Sequence, residues 1–545
     1  MYCNLPLILF VICFTALSPE TENSDSEPVE SDESLHGEGW RNGDLQEAQF
    51  PNRPNPTEPD EVKCPLEYFS YYFDDELISI IVEETNLYTS QKTGKSLNVT
   101  PDEIRAFIGI MIFMGIIHLP AMTDYWAEST FIPQVAEVMP RRRFQNIRSN
   151  IHFHNNEIEG DDTLLKIRPL LDHLRKKCQS LEMEYDLSVD ERMERYKGTR
   201  AGNMRQYMPD KPSAKWGFKI FVLAGASGLT YDFIPYCGQQ TFDAEPLTDG
   251  ERKLGVGAMA VIALCKCISN PEHCTVTFDN YYTGIPLITY LKSEMKLHSL
   301  GTIRRNRIPE CPLKEAKDLM KEGRGSYESF VNKNAVSIVQ WADNKAVILA
   351  SSCVGVEPSG RIKRYCKVAK AKIDVPCPKA VIFYNKTMGG VDLADEYMAL
   401  YKVPTRARRW YFPLFGYSLE LALTNAYLTY KRECAMLGIP QEFPTSKDFR
   451  LAISRSLTAC MQRTKGRPSL DRSLSRKKIH RPMVARPVDA LRTDGMHHYP
   501  TPCKKNRCRY CPSGFSRMSC TKCNAVLCIR PERNCFIQFH CVPHL

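Results

Sequence analysis

Four aspartates stand where elements of regular structure end or begin, which is where a carboxylate can reach a ligand. Asp279 comes directly after an alternating β-branched and apolar run at residues 275–278, which predicts a short strand. Asp190 ends a second strand-like run. Asp392 and Asp395 stand three residues apart at the start of a predicted helix, so they share one face. Ligands in α/β proteins bind at the rim of the sheet. Taken singly, each acid is more often a helix cap or a turn residue.

Residues 498–545 hold a second set of reactive side chains, spaced as metal ligands. Paired thiolates at Cys-x2-Cys spacing bind Zn²⁺, and a segment this small needs the metal in order to fold. A disulfide knot is the alternative, and Cys503 and Cys541 are spare candidates. We predict two interleaved sites, a cross-brace, in which His498 joins Cys508, Cys511 and Cys528, and His540 joins Cys520, Cys523 and Cys535.

The charge of the chain is divided unevenly along its length. The 545 residues carry a net charge of +9, but residues 1–61 hold 13 acids against two bases. The basic remainder is typical of a protein with a polyanionic partner such as nucleic acid, although an ordinary basic surface gives the same count. Of the 22 cysteines, 14 are scattered outside the terminal cluster, which favours a reducing compartment.

The order of predicted elements brings two of the acids together. The Asp190 strand is followed by a hairpin (residues 215–223 and 230–236), the Asp279 strand, a helix and a strand at 298–303. This is the order of an RNase H-like α/β core, in which the first and central strands are neighbours. We therefore expect Asp190 and Asp279 to meet.

Two stretches near the N-terminus and one near the C-terminus carry little structural signal. Residues 1–18 are apolar but lack the basic start of a secretory signal, so we expect no export. Residues 20–61 are too polar to bury a core and are predicted to be disordered. Residues 465–486 form a basic linker, typical of a nuclear import signal or of phosphate contacts. The apolar run at 106–117 is too short to span a bilayer and predicts a buried helix.

From about Cys64 to the C-terminus, many separate motifs occur in the order found in one family. The sequence resembles the piggyBac transposases in these motifs: Ser188-Val189-Asp190-Glu191, Met208-Pro209-Asp210-Lys211-Pro212, Phe278-Asp279-Asn280-Tyr281-Tyr282, Gly301-Thr302-Ile303-Arg304, Tyr384-Asn385-Lys386-Thr387, Gly389-Gly390-Val391-Asp392, Arg409-Trp410 and the Cys-rich end. The apolar start has no counterpart in that family, and Pro531 stands where some members carry a histidine.

The resemblance implies an α/β RNase H-like catalytic core with an inserted β-rich domain, a two-part helical DNA-binding and dimerisation domain, and a C-terminal zinc-binding cross-brace. The implied segments are an apolar start and acidic arm (1–61), a first helical segment (62–185), a first core segment (186–305), the insertion (306–379), a second core segment (380–401), a second helical segment (402–460), a basic linker (461–497) and the Cys-rich domain (498–545).

The resemblance also implies the chemistry. The family's acidic triad falls on Asp190, Asp279 and Asp392, which would hold two Mg²⁺ ions, while Asp395 would tune the site. The implied activity is cleavage at transposon ends and strand transfer into TTAA by a nuclear homodimer, with no membrane partner. The residues expected to contact DNA are Arg200, Arg205, Lys211, Arg304, Arg406, Arg408, Arg409 and Trp410. A domesticated, non-catalytic DNA- or chromatin-binding protein is the alternative, and a RING-like partner module is a third interpretation.

Overall fold

A computed structural model describes residues 39–209, 211, 214–366, 370–461, 487–511 and 513–541. The apolar start and the core of the basic linker lie outside these residues. None of the helices in the described ranges is long and apolar enough to cross a membrane.

A mixed sheet of ten strands forms the centre of the fold. Its order along the main path is β1-β8-β9-β10-β7-β6-β2-β4-β3, and β5 pairs with β4. The strands are β1 (Arg41–Asn42), β2 (Asp186–Arg195), β3 (Arg205–Tyr207), β4 (Trp216–Gly225), β5 (Thr230–Pro235), β6 (Thr275–Phe278), β7 (His298–Thr302), β8 (Tyr327–Val331), β9 (Ser337–Ala342) and β10 (Ala346–Ser351).

The predicted neighbours lie side by side in this sheet. Strand β2 pairs with β6 in parallel, with Val189 opposite Phe278, and β6 pairs with β7 in parallel. The hairpin β4–β5 turns at Gly228, whose φ of +90° suits glycine, and β4 lies antiparallel to β2. The topology is therefore consistent with the expected RNase H-like core.

Within the described residues, six further strands form three antiparallel pairs outside this sheet. They are β11 (Gly360–Cys366) with β12 (Ala371–Cys377), β13 (Pro500–Arg507) with β14 (Phe515–Cys520), and β15 (Ile529–Arg530) with β16 (Arg533–Asn534).

Helices cover the sheet and build a separate helical layer. They are α1 (Pro65–Ser70), α2 (Asp75–Thr93), α3 (Pro101–Ile116), α4 (Pro133–Ala136), α5 (Arg141–Asn150), α6 (Arg168–Gln179), α7 (Asp249–Arg252), α8 (Val256–Cys265), α9 (Ile285–Ser293), α10 (Ala316–Lys321), α11 (Lys379–Thr387), α12 (Gly390–Leu400), α13 (Tyr411–Met436), α14 (Ser446–Ala459), α15 (Asp489–Arg492) and α16 (Cys535–Cys541).

Local sequence accounts for where the helices begin and how they pack. The Thr100 hydroxyl accepts the Glu103 N–H, and the Glu103 carboxylate accepts the Thr100 N–H, so α3 starts at a capping box. Helix α3 is buried along most of its length. It packs on α14 from the other end of the chain, where the Ser454 hydroxyl donates to the Gly109 carbonyl at 2.8 Å.

The two faces of the central sheet belong to two different cores. Phe218, Ile220 and Val222 on β4 join the apolar side chains of the helical layer. The alternate residues Phe221 and Leu223 face the other way and pack with α8 and α9. Strand β4 is therefore buried on both of its faces.

The prediction of disorder up to residue 61 is wrong for the described part of that arm. Arg41 and Asn42 pair with β8, and Leu45 is buried. The Asp44 carboxylate accepts the N–H groups of Val356 at 2.6 Å and of Glu357 at 2.8 Å. Backbone pairing and the hydrogen bonds of the Asp44 carboxylate order this polar arm, and composition alone does not reveal such contacts.

Part of the stretch at 306–379, predicted as an inserted β-rich domain, joins the central sheet, while its strands β11 and β12 pair only with each other. Strand β10 pairs with β7 in antiparallel fashion, so β8, β9 and β10 continue the sheet beyond the expected core. Strand β2 also continues to Arg195, so Asp190 lies within the strand and not at its end.

Candidate functional site

Two of the aspartates are set side by side by strand pairing. Because Val189 lies opposite Phe278 in the parallel pair, Asp190 and Asp279 are the next residues along β2 and β6. Strand β6 ends at Phe278, and the Asp279 carboxylate accepts the Tyr281 N–H at 2.8 Å. Asp279 therefore opens the turn into α9, as its position in the sequence predicts.

Helix α12 brings the other two aspartates to the same place. Its first turn lies against β2 and the β4–β5 hairpin at Gly390, where a Cβ atom would lie 2.7 Å from the Ser188 hydroxyl oxygen. Only glycine allows this approach, which puts Asp392 next to the strand that carries Asp190. Asp395 follows on the same helical face.

The charges of these residues act on one another, and we refer to Asp190, Glu191, Asp279, Asp392 and Asp395 as the acid pocket. Burial raises the pKa of Asp190 well above its ordinary value, and the Glu191 and Asp279 carboxylates raise it further. Burial and Glu191 likewise raise the pKa of Asp279. Partial loss of hydration raises the pKa of Asp392, with a further contribution from Asp395. Asp190, Asp279 and Asp392 are therefore all harder to ionise than ordinary aspartates.

Two residues outside the acid pocket lie close to its carboxylates. Burial raises the pKa of the Tyr384 phenol, and the charges of Asp279, Asp190 and Asp392 raise it further, so one side chain on α11 lies near all three. Lys211 brings a positive charge: its Nζ donates to the Glu191 carbonyl oxygen at 3.3 Å. The Asp190, Glu191, Asp392 and Asp395 carboxylates outweigh its burial and raise its pKa.

The carboxylate oxygens of the acid pocket lie farther apart than the ligand atoms of other clusters in the described residues. Three groups of acidic, histidine or cysteine side chains there bring their ligand atoms within 4.8 Å of one another, and the aspartates are not among them. Their oxygen donors are of the kind that Mg²⁺ takes, so the residues fit that ion.

Sequence reasoning named Glu191 only as one residue of a motif and missed two of its partners. The Tyr282 hydroxyl donates to the Glu191 carboxylate at 2.9 Å, and Lys219 Nζ lies 3.9 Å from it. Period-two alternation puts Glu191 on the face of β2 opposite to Asp190. Pairing with β4 then brings it to the same face as Lys219, and this register cannot be obtained from the sequence alone.

Asp395 is tied to a buried arginine that no sequence pattern singles out. Arg192 lies two residues after Asp190 on β2, and its guanidinium is 3.1 Å from the Asp395 carboxylate. It also contacts the Met398 sulfur and lies 4.7 Å from the centre of the Tyr417 ring on α13. Asp395 therefore anchors α12 to β2 and to the helical layer.

The eight residues expected to contact DNA have different surroundings. Arg200, Arg304, Arg406 and Arg408 are exposed. Lys211 lies at the acid pocket, and Arg205 lies over the Trp216 ring at 4.4 Å. Arg409 donates to the Ile151 carbonyl at 2.9 Å, and Trp410 packs among aromatic side chains of the helical layer.

The eight predicted metal ligands at the C-terminus form two groups of four. One is His498, Cys520, Cys523 and His540; the other is Cys508, Cys511, Cys528 and Cys535. The groups interleave along the chain as a cross-brace does, but the predicted partition is wrong because His498 and Cys535 exchange places. Strand β13 carries the chain from His498 to Cys508 and pairs with β14, which returns to Cys520 beside His498.

The distances inside these groups match tetrahedral coordination. His498 Nδ1 lies 3.3 Å from the Cys520 sulfur and 3.4 Å from the Cys523 sulfur, and the Cys511 and Cys528 sulfurs are 3.9 Å apart. Tetrahedral zinc with ordinary bond lengths separates a nitrogen and a sulfur by about 3.5 Å and two sulfurs by about 3.8 Å. Asp494 accepts from His498 Nε2 at 2.9 Å, as the second partner of a metal-binding histidine does.

The sheet and its covering helices show an α/β protein, and comparison with known proteins gives its family. A family model described as Transposase IS4 matches residues 64–427. The human PiggyBac transposable element-derived protein 3 is 30% identical over 486 residues, covering 88% of this chain and 76% of that protein. The human PiggyBac transposable element-derived protein 2 is 32% identical over 381 residues, covering 68% of this chain and 62% of that protein.

A solved structure agrees with these sequence relatives. The cryo-EM structure of a piggyBac transposase synaptic complex with hairpin DNA is similar to this chain with a TM-score of 0.61 at 24% identity. The likeness covers 86% of this chain and 95% of that chain, which supports the fold. The chain belongs to the piggyBac transposase family.

Proposed function

We propose that this protein is a metal-dependent DNA transposase that cleaves transposon ends and transfers the freed strand into TTAA sites. The observation that carries the proposal is the acid pocket, in which aspartates from two adjacent strands and one helix each have a raised pKa because they are buried beside other carboxylates. Such clustering of perturbed acids is typical of functional sites. Membership of the family supports the same reaction.

In this proposal Asp190, Asp279 and Asp392 hold two Mg²⁺ ions. The ions would supply Lewis-acid stabilisation of the phosphodiester's developing charge. The protein's own part is to hold three carboxylates in place. Strand register sets Asp190 beside Asp279, and the Arg192–Asp395 contact fixes the helix that carries Asp392. Asp395 is a positioning residue, since its carboxylate is already paired.

DNA would be held by the exposed bases around this pocket. Arg200, Arg304, Arg406 and Arg408 carry charge that solvent and phosphate can reach. Lys211 is set among the acids and is suited to the phosphate nearest the reacting bond. Arg205, Arg409 and Trp410 would shape the surface through the packing already described. We further propose a homodimer that acts in the nucleus.

The C-terminal module would hold two structural zinc ions, one in each four-residue group. The four-cysteine group and the two-cysteine, two-histidine group both leave no open coordination position. Their role is therefore folding of the module, with no part in the reaction.

The test is cleavage by the purified full chain and a matched pair of variants. We expect Mg²⁺-dependent nicking of DNA that carries the ends of a piggyBac-type element flanked by TTAA, and excision of that element from a reporter in cells. Asp279→Asn should abolish both, while Asp374→Asn, an exposed acid on β12, should leave both unchanged. Equal cleavage by the Asp279 variant would refute the assignment.

A second candidate is a non-catalytic DNA-binding protein. The human relatives described as transposable element-derived proteins favour it, because such proteins derive from mobile elements. Replacing all four aspartates by asparagine would then leave DNA affinity intact, and the native chain would cut no strand in either assay.

A further inference from the structure

An exposed pair of aromatic rings lies at the end of the central sheet, on the strand that leads towards the acid pocket. Tyr207 on β3 is 51% exposed, and Trp216 on β4 is 40% exposed. The two residues are directly opposite in the antiparallel pair, and their ring centres are 4.8 Å apart at an interplanar angle of 43°. Single exposed aromatics are common, but these two form one continuous surface.

An arginine orders this surface from one side. Arg205 precedes Tyr207 by two residues on the same face of β3, and its guanidinium lies 4.4 Å from the centre of the Trp216 ring. The guanidinium also donates to the Gly198 carbonyl at 3.2 Å, so it is held over the ring. We call Arg205, Tyr207 and Trp216 the aromatic platform.

The surroundings of the aromatic platform are basic. Lys197, Arg200 and Lys215 are exposed on the segments that flank it. Aromatic faces beside a basic surface are the combination that binds single-stranded nucleic acid, because bases stack on the rings while the cations track the phosphates. Because this surface is basic, it favours an anionic nucleic acid as the occupant over a protein surface that has few acidic residues.

Chain geometry places the aromatic platform within reach of the acid pocket. Three residues lie between Tyr207 and Lys211, so the Cα atoms of these two residues are about 14 Å apart at most. The Met208 N–H donates to the Lys215 carbonyl at 2.8 Å, and the Lys211 N–H donates to the Met208 carbonyl at 3.3 Å. Lys211 in turn reaches the Glu191 carbonyl of the acid pocket. A few nucleotides of extended strand would span the gap.

We infer that the aromatic platform stacks the unpaired bases of a cleaved DNA end and so holds the strand next to the acid pocket. This inference rests on the proposed function and deepens it, since it assigns the single-stranded portion of the substrate to a surface that the phosphate contacts do not explain. The occupant is a short single-stranded overhang, read by the faces of its bases and not by their edges.

Binding of the full chain to three labelled duplexes tests this. One duplex is blunt, one carries a four-nucleotide single-stranded overhang, and one carries the same overhang without bases. By fluorescence anisotropy the native chain should prefer the base-containing overhang over the other two by about fivefold to a hundredfold. Equal affinity for the abasic overhang would overturn the inference, because phosphates alone would then account for binding.

Variants assign the preference to the rings. Tyr207→Leu and Trp216→Leu keep apolar bulk but lose the aromatic face, so the preference should fall to within about twofold of the blunt duplex, with blunt-end affinity unchanged. Trp216→Phe should retain it, which separates lost stacking from lost folding. Tyr365→Leu, at a similarly exposed tyrosine on β11, is the control and should bind as the native chain does.

Two further outcomes would also overturn the inference. One is a preference that survives in the double leucine variant. The other is a change of oligomeric state in the leucine variants without a change in DNA binding, since the face would then join two copies of the chain. The Asp279→Asn variant separates this inference from the proposed function, because it should keep the overhang preference while losing cleavage. If the native chain prefers the overhang but cuts no DNA, only the proposed function fails.

Discussion

Replacing His498 by alanine should remove one metal ion from each chain and leave the other in place. In the structure His498 belongs with Cys520, Cys523 and His540, while the remaining four cysteines form their own group. The two groups share no ligand, so loss of one histidine leaves the four-thiolate group complete. We expect total bound zinc to fall from about two ions per chain to about one.

Cobalt substitution tells the two groups apart, because thiolate-to-metal absorption scales with the number of bound sulfurs. Six thiolates are held in all, two in the histidine-containing group and four in the other. His498→Ala should therefore remove about one third of this absorption, and Cys535→Ala about two thirds. Zinc release, measured with a chromogenic chelator, should show one ion lost in either variant.

The assay also distinguishes this partition from the one expected from sequence. If His498 bound with Cys508, Cys511 and Cys528, both sites would contain three thiolates and one histidine. Each variant would then remove about half of the absorption. Equal losses in the two variants would refute the structural partition, and loss of both metals in either variant would refute the independence of the groups.

Three other predictions concern the acid pocket and a buried ion pair between α13 and α14. Arg192→Met should loosen α12, seen as faster hydrogen exchange in that helix, and should weaken Mn²⁺ binding by about tenfold, measured by calorimetry. Arg192→Lys should restore part of the slow exchange and part of the Mn²⁺ affinity. Glu420→Gln should lower the free energy of unfolding in urea by about 3–5 kcal/mol, because the buried Arg450 guanidinium, 2.8 Å from the equally buried Glu420 carboxylate, would lose its charged partner. The double variant Glu420→Leu/Arg450→Met removes both charges and should recover most of the lost stability. Finally, burial and the charges of neighbouring carboxylates raise the pKa values of Asp190, Asp279 and Asp392. Their protonated forms therefore stabilise the metal-free fold at acid pH, and this stability is lost as the pH rises through the raised pKa values. Urea unfolding from about pH 4 to 8 should show that loss, and Mg²⁺ should reverse it; stability that rises with pH in metal-free buffer would contradict the pKa directions.

Patterns local in sequence predicted most of the central fold. The Thr275–Phe278 run, the β4–β5 hairpin and the α3 capping box depend on neighbouring residues and are present in the structure. The order of strands then followed from topology rules, so β2 and β6 could be placed together. The four aspartates of the pocket could be named because each stands where a predicted strand ends or a predicted helix begins.

What the sequence missed depends on contacts between distant segments. Asp44 is ordered by N–H groups more than 300 residues away, and no composition rule reports such a partner. Glu191 reaches Lys219 only because of the register between β2 and β4. Strand β10 extends the core because it pairs with β7, the last strand of the expected sheet. The predicted division of the zinc ligands was wrong for the same reason. Ligand spacing identifies the eight ligands but does not show which four share a site.

The energetics of the acid pocket argue for function independently of any relative. Crowded carboxylates raise one another's pKa values, which costs folding free energy at neutral pH. A surface designed only for stability would replace one of these acids by a neutral residue. The fold instead uses a glycine contact at Gly390 and a buried arginine at Arg192 to bring a helix bearing two more carboxylates towards a strand that already carries Asp190 and Glu191. Gathering these acids costs stability when they are ionised, so their placement is typical of a functional site and is not explained by what they contribute to the fold.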